Sequence, residues 1–209
     1  MQIYSRIVGP LATNCYIVKC EETNESLLID PGFSLEETNG ILDFIRCGFK
    51  VKYILNTHGH VDHISGNGIM KRLTSAEILI HKDDASLLTD PTKNLSNMLG
   101  LNVISPEADR LLRDGEVIEV GNLKFTVIHT PGHTKGSISL FCKDENLVFT
   151  GDILFAGSIG RTDLPEASFK EMMHSLRNKL LRLPDETVVY PGHGGRTTIG
   201  REKRMNPYL

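Results

Sequence analysis

Residues 57–63 read Thr57-His58-Gly59-His60-Val61-Asp62-His63, three imidazoles and a carboxylate within six positions. The stretch follows Val51-Lys52-Tyr53-Ile54-Leu55-Asn56, an apolar run of strand length. Histidines two apart in an extended turn present both rings to one side, and the Asp-His pair just beyond serves a neighbouring point. Neutral imidazole suits zinc or iron, and carboxylate completes a harder site. A solvated polar loop has no need of this density, so His58, His60, Asp62 and His63 are read as metal ligands.

The same arrangement recurs along the chain. His133 in His129-Thr130-Pro131-Gly132-His133-Thr134, Asp152 in Thr150-Gly151-Asp152 and His193 in Pro191-Gly192-His193-Gly194 each follow an apolar run, with glycine immediately before the candidate ligand. Glycine permits the tight turn and close backbone approach that a ligand at a strand end requires. Seven candidate ligands at strand ends are best explained by a two-metal centre.

Periodicity predicts strands over 2–8, 12–19, 27–29, 51–56, 78–81, 116–120, 123–129, 137–142, 147–150 and 187–190. Helices are predicted over 34–49, with Ser34 and Glu37 as a capping box, over 67–74, 83–88 and 168–183, and for a turn or two from Ile199. Met172 and Met173 read as core filler. Residues 90–109 lose periodicity and read either as a lid over the site or as a plain surface loop. Strands outnumber helices and every candidate ligand follows a strand. Two packed sheets with helices outside would bring all the strand ends to one rim.

The chain has 209 residues with 26 acidic and 23 basic side chains, a net charge of −3 and 40% hydrophobic residues. These values predict one domain over 1–209 with a sizeable core, and they disfavour a nucleic-acid partner. No apolar run approaches the ~18 residues of a membrane span, and the first residues lack a signal-peptide pattern, so no membrane partner and a cytoplasmic location are expected. Cys15, Cys20, Cys47 and Cys142 are scattered and read as buried thiols. His81 and His174 read as structural, and His129 as standing behind the ligands or simply ending a strand.

HxHxDH at 58–63, HTPGHT at 129–134, GD at 151–152 and PGH at 191–193 together resemble the metallo-β-lactamase-fold hydrolases. The resemblance implies an α/β (α+β) fold, a four-layer αβ/βα sandwich with the site on its rim. It implies two divalent ions, zinc first, with iron or manganese as alternatives. His58, His60 and His133 would hold one, Asp62, His63 and His193 the other, and Asp152 would bridge them. Such ions lower the pKa of a bound water towards ~7, so no serine or cysteine nucleophile is needed. Asp62 would both ligate and orient the nucleophile.

Asp152 argues against the β-lactamase branch that uses cysteine at the bridging position. The string Gly151-Asp152-Ile153-Leu154-Phe155-Ala156-Gly157-Ser158-Ile159-Gly160-Arg161-Thr162-Asp163-Leu164-Pro165 resembles the glyoxalase II-like thioesterases. The ending with Thr197-Thr198, Gly200, Glu202 and Asn206-Pro207 resembles their short, single-domain members. The resemblance implies a small-molecule thioester substrate, S-lactoylglutathione or a related 2-hydroxyacyl thioester. Arg161 stands where that family has a lysine contacting the thiol carrier. Gly194-Gly195 stands where it has an acidic residue and a tyrosine, and the basic helical domain that grips glutathione in full-length members is not expected here. The alternative is a persulfide dioxygenase on the same scaffold, whose relatives share the GRTD string and bind one iron through two histidines and an aspartate. His58, His133 and Asp152 could supply that set.

Overall fold

The computed structural model describes residues 1–38, 43 and 47–209. Six strands form the first sheet in sequence order: β1 (Gln2–Val8), β2 (Thr13–Lys19), β3 (Glu25–Ile29), β4 (Lys50–Leu55), β5 (Glu77–His81) and β6 (Arg110–Leu112). The first three pair antiparallel, and β3 through β6 run parallel. The second sheet draws on β7 (Val117–Val120), β8 (Leu123–His129), β9 (Ile138–Cys142) and β10 (Leu147–Gly151). A small hairpin, β11 (Leu154–Phe155) and β12 (Ser158–Ile159), precedes β13 (Val188–Pro191) and β14 (Thr197–Thr198). The second sheet runs β14-β13-β10-β9-β8-β7.

Alternation along the strands builds the layers. On β3, Leu27 and Ile29 face inward while Leu28 faces outward, because successive side chains point to opposite faces of a sheet. The inward set meets Phe125, Val127, Leu140 and Phe149 of the second sheet in one cluster. Outside the first sheet, Ile17, Leu28, Ile54 and Ile78 pack on Phe33, Ile64 and Met70. The last two come from α1 (Val61–Ile64) and α2 (Asn67–Thr74). Outside the second sheet, Val148 and Val189 pack on Met172, Leu176 and Ile199. These belong to α3 (Phe169–Asn178) and α4 (Ile199–Met205). Three apolar clusters between four layers give the sandwich, and each fully buried Leu or Phe contributes roughly 1.5–3 kcal/mol of transfer free energy. Among the described residues no helix is long and apolar enough to cross a membrane.

Several elements depart from expectation. Of the helix predicted over 34–49, residues 39–42 and 44–46 lie outside the described residues, and 47–49 are not helical. Its first turn is described, and there the Ser34 amide donates to Glu37 Oε2 at 3.0 Å, half of the expected capping box. Residues 82–87 form a 3₁₀ helix rather than an α-helix. The helix predicted over 168–183 ends at Asn178, where Lys179 leaves helical geometry at φ −121°, and a 3₁₀ turn follows. Ser168 caps its start by accepting the Glu171 amide. Met172 is buried as expected, whereas Phe169 is exposed at the first turn. Strand β6 was not legible, because three residues carry too little alternation. All four thiols are free, but Cys47 is exposed in the turn before Gly48.

Candidate metal centre

Each predicted ligand leaves the carboxyl end of a strand, where open α/β sheets characteristically place their sites. β4 delivers the 58–63 segment, β8 the loop with His133, β10 Asp152 and β13 His193. The first sheet thus supplies four side chains and the second sheet three, all at the same edge of the sandwich.

The structure brings all seven together. Donor atoms of His58, His60 and His133 lie within 4.8 Å of one another, as do those of Asp62, His63 and His193. Asp152 joins the two groups: its Oδ1 is 3.5 Å from His63 Nε2, and its Oδ2 is 3.6 Å from His133 Nε2 and 3.3 Å from His193 Nε2. His58, His60, His63, His133 and Asp152 are buried. His58 Nε2, His63 Nε2 and Asp152 Oδ1 have no hydrogen-bond partner, an expensive condition for buried polar atoms. Cations held by the two triads, with Asp152 shared between them, would satisfy all three. The donors are nitrogen and oxygen without sulfur, a set that fits zinc, iron or manganese.

Partners behind the ligands fix their orientation. His133 Nδ1 donates to the Arg161 carbonyl at 2.9 Å, so its Nε2 lone pair faces the centre. His63 Nδ1 lies 2.9 Å from Asp30 Oδ2. Asp30 also accepts the Thr57 amide and hydroxyl, both at 2.7 Å, and the hydroxyl sits 3.2 Å from His58 Nδ1. Thr13 Oγ1 donates to Asp62 Oδ2 at 2.9 Å. Buried Asp84 accepts the amides of Gly59 and Gly136 and the hydroxyl of Thr134, tying the first histidine segment to the His133 loop. Sequence reasoning missed Asp30 and Asp84. Asp30 directly follows a buried strand, as Asp152 does, and that was the signal available for it. Asp84 carries no such signal.

Electrostatics separate the histidines. Burial, followed by the charge of neighbouring imidazoles, holds His58 well below the ordinary imidazole value and His60 at about 3, so both are neutral, the ligating form. Burial also opposes charge on His193, but hydrogen bonds to Asp152 and Asp62 outweigh it and raise that imidazole to about 10. Burial would raise Asp62 and Asp152; the charge of His63 and hydrogen bonding to His193 reverse this and hold both below the usual carboxylate range.

Gly192 shows why the ligand is preceded by glycine. A Cβ there would stand 2.1 Å from Asp152 Oδ1 and 2.9 Å from His63 Cε1. Gly192→Ala is therefore expected to lower metal affinity at least about tenfold while the circular dichroism spectrum is retained, the scale of lost ligand orientation. Unchanged affinity in a metal titration would show that the close approach is unimportant.

The remaining predicted site residues lie elsewhere. The Arg161 guanidinium sits at the cavity rim, 67% exposed, with Nε and Nη2 donating to both carboxylate oxygens of Asp163. His129 ends β8 and stacks on His81 at 4.0 Å, and its Nε2 lies 2.8 Å from the Lys135 carbonyl, outside the seven-residue cluster. His174 bonds Asn178 on the exposed side of α3. Glu202 and Asn206 serve the hairpin: Glu202 accepts the Gly157 amide at 2.8 Å and the Asn206 side chain at 2.9 Å, and Asn206 also donates to the Ser158 carbonyl.

A cavity of about 460 Å³ opens over the centre, lined by His60, Asp62, His133, Asp152 and His193 and by apolar side chains that include Leu11, Leu95, Met98, Leu99, Phe155 and Ile159. Residues 90–105 form its wall, fastened through buried Asn94. The Asn94 carbonyl accepts the Val61 amide at 2.9 Å, its side chain spans Val103 and Ser96, and Leu95 is held at φ 67°.

Comparison with known proteins agrees with this geometry. The model of the metallo-beta-lactamase superfamily matches residues 8–193. The hydroxyacylglutathione hydrolase GloC of Haemophilus influenzae is 35% identical over 202 residues, covering 94% of this chain and 92% of that protein. The BLEG-1 B3 metallo-beta-lactamase superposes with a TM-score of 0.94 at 36% identity, covering 100% of this chain and 99% of that one. TTHA1623 in a di-iron-bound form superposes with a TM-score of 0.87 at 36% identity, covering 99% of this chain and 100% of that one. With the sandwich, the strand-end cluster and a family match spanning nearly the whole chain, this protein belongs to the metallo-beta-lactamase superfamily, whose members are mostly hydrolytic enzymes.

Proposed function

We propose that the protein is a two-metal thioesterase, hydrolysing S-lactoylglutathione or a related 2-hydroxyacyl thioester. The observation that carries the reading is the completeness of both donor triads with Asp152 between them. A mononuclear iron oxygenase needs only two histidines and a carboxylate, so the second triad would have no use there. The similarity to a hydroxyacylglutathione hydrolase over 94% of the chain supports the thioester class.

Held by the two triads and Asp152, divalent ions would supply a low-pKa water and an electrophile for the acyl oxygen. The chain supplies the rest. Asp62 lines the cavity, and His63, His193 and Thr13 hold its Oδ2. Kept ionised by these neighbours, Asp62 orients the nucleophile as an acceptor rather than storing its proton. His58 and His60 remain neutral throughout. Apolar Leu95, Met98 and Phe155 limit water around the reacting carbon.

The decisive experiment loads the protein with zinc, iron or manganese and assays a thioester panel, nitrocefin as a β-lactam, and oxygen uptake on glutathione persulfide. Thioester cleavage is expected in preference to the other two. Oxygen consumption without thioester cleavage, or cleavage of the β-lactam alone, would overturn the reading.

Arg161 is proposed to contact the thiol carrier. Arg161→Ala is expected to raise KM for anionic thioesters about twofold to fivefold more than for neutral ones, the scale of an exposed ion pair. Since Asp163 neutralises this guanidinium, Asp163→Ala is expected to lower KM for the anionic substrates. Equal effects on both substrate classes would remove the contact.

A further inference from the structure

Beside the catalytic cavity lies a second one of about 400 Å³ that shares Leu11, Val61, Asp62 and Leu99 with it. Its other walls include Phe33, Ile69, Leu101 and Val103. Few charges face it. Asp62 belongs to the metal centre, the Glu37 carboxylate already accepts the amides of Gly9 and Ser34, and Arg72 completes the set among the described residues. Leu11, Leu99 and Leu101 leave 47%, 46% and 46% of their surface in water around this hollow, although nothing in the fold requires leucine there. Exposed apolar side chains lining one concavity mark a place where something apolar is bound.

We propose that this groove is the acyl subsite, and that within the thioester class it favours acyl groups with an apolar tail longer than that of lactoyl. The assignment rests on the thioesterase reading and specifies its substrate class. Asp62 lines both cavities, so an acyl carbon at the metal centre has its chain directed over Val61, between Leu11 and Leu99, into the groove. Arg161, Phe155 and Ile159 line only the catalytic cavity and are left for the thiol side. The wall is preformed: Asn94 and Ser96, both buried, hold Val103 through its carbonyl and its amide. A tail therefore gains apolar contact without having to order the loop that receives it. A flat partner such as a membrane surface would not follow a concavity leading to the ligands.

The test holds the thiol constant and varies the acyl chain, using acetyl, butanoyl, hexanoyl and octanoyl thioesters of N-acetylcysteamine with the metal-loaded protein. The specificity constant kcat/KM is expected to rise about twofold to fourfold per added methylene, chiefly through KM, as burial of each CH₂ predicts. Leu101→Trp, which fills the groove from an exposed position, and Leu101→Asp, which charges it, are each expected to lower the octanoyl-to-acetyl ratio at least tenfold. In parallel, calorimetry measures binding of S-octyl- and S-ethyl-N-acetylcysteamine, thioethers that cannot be hydrolysed. The octyl compound is expected to bind at least tenfold tighter, and Leu101→Asp to abolish the difference. Cleavage of all thioesters with no dependence on chain length, or ratios unchanged in both variants, overturns the groove while leaving the thioesterase reading intact. Tight octyl binding without any cleavage keeps the groove and overturns the thioesterase.

Discussion

Asp152→Ala is expected to reduce metal content from two ions per chain to below one and to lower thioesterase kcat/KM by roughly 10³-fold or more. Groups that merely orient a ligand are worth about 10–100-fold in affinity or activity, and Asp152 does more than orient. Its two oxygens reach His63 in one triad and His133 in the other, and it is one of only two carboxylates among seven donors. Removing it leaves Asp62 as the sole carboxylate among the six remaining donors. Elemental analysis of the purified variant reads the occupancy, and the thioester assay reads the rate. Full activity with unchanged metal content would refute the bridging position.

The second large effect is on stability. Asp84 is fully buried and accepts three hydrogen bonds, from the Gly59 amide at 2.9 Å, Thr134 Oγ1 at 2.7 Å and the Gly136 amide at 2.6 Å. Asp84→Ala strands all three donors away from water, at about 1–3 kcal/mol each. Discounting for relaxation, the variant is expected to lose about 3–5 kcal/mol, which for a chain of this size lowers Tm by roughly 6–20 °C. Asp84→Asn keeps one acceptor and the shape of the side chain, so its loss should be smaller. Differential scanning calorimetry on metal-free protein isolates this effect from metal binding. A fall of only a degree or two in the alanine variant would mean that the two loops hold together without their shared carboxylate.

The seven-residue cluster was legible because its chemistry is written locally: each side chain follows an apolar run, and glycine marks three of the turns. Strand ends gathered at one rim agree with packed sheets, and the four-layer sandwich itself came from the resemblance carried by those same motifs. What stayed hidden depends on contacts distant in sequence. Asp84 bonds residues 25 to 52 positions away, and nothing beside it announces them. Asp30 is held at φ 51° and reaches His63 across a parallel strand pair, which a turn motif alone does not reveal. The 90–105 stretch lacks periodicity because it is built of tight backbone turns, with one short 3₁₀ helix, and is fastened by side-chain amides and hydroxyls. The sequence did not indicate that Arg161 pairs with Asp163, two residues on.

The order of the two sheets along the chain has a consequence for how the protein is made. Residues 2–112 furnish every strand of the first sheet and residues 117–198 every strand of the second, so during synthesis one half can form before the other exists. His193 is the last donor to be translated, and it docks onto β2, far back in the chain, through its bridge to Thr13. A donor set of all seven residues can therefore be complete only once residue 193 has been made and has met Thr13.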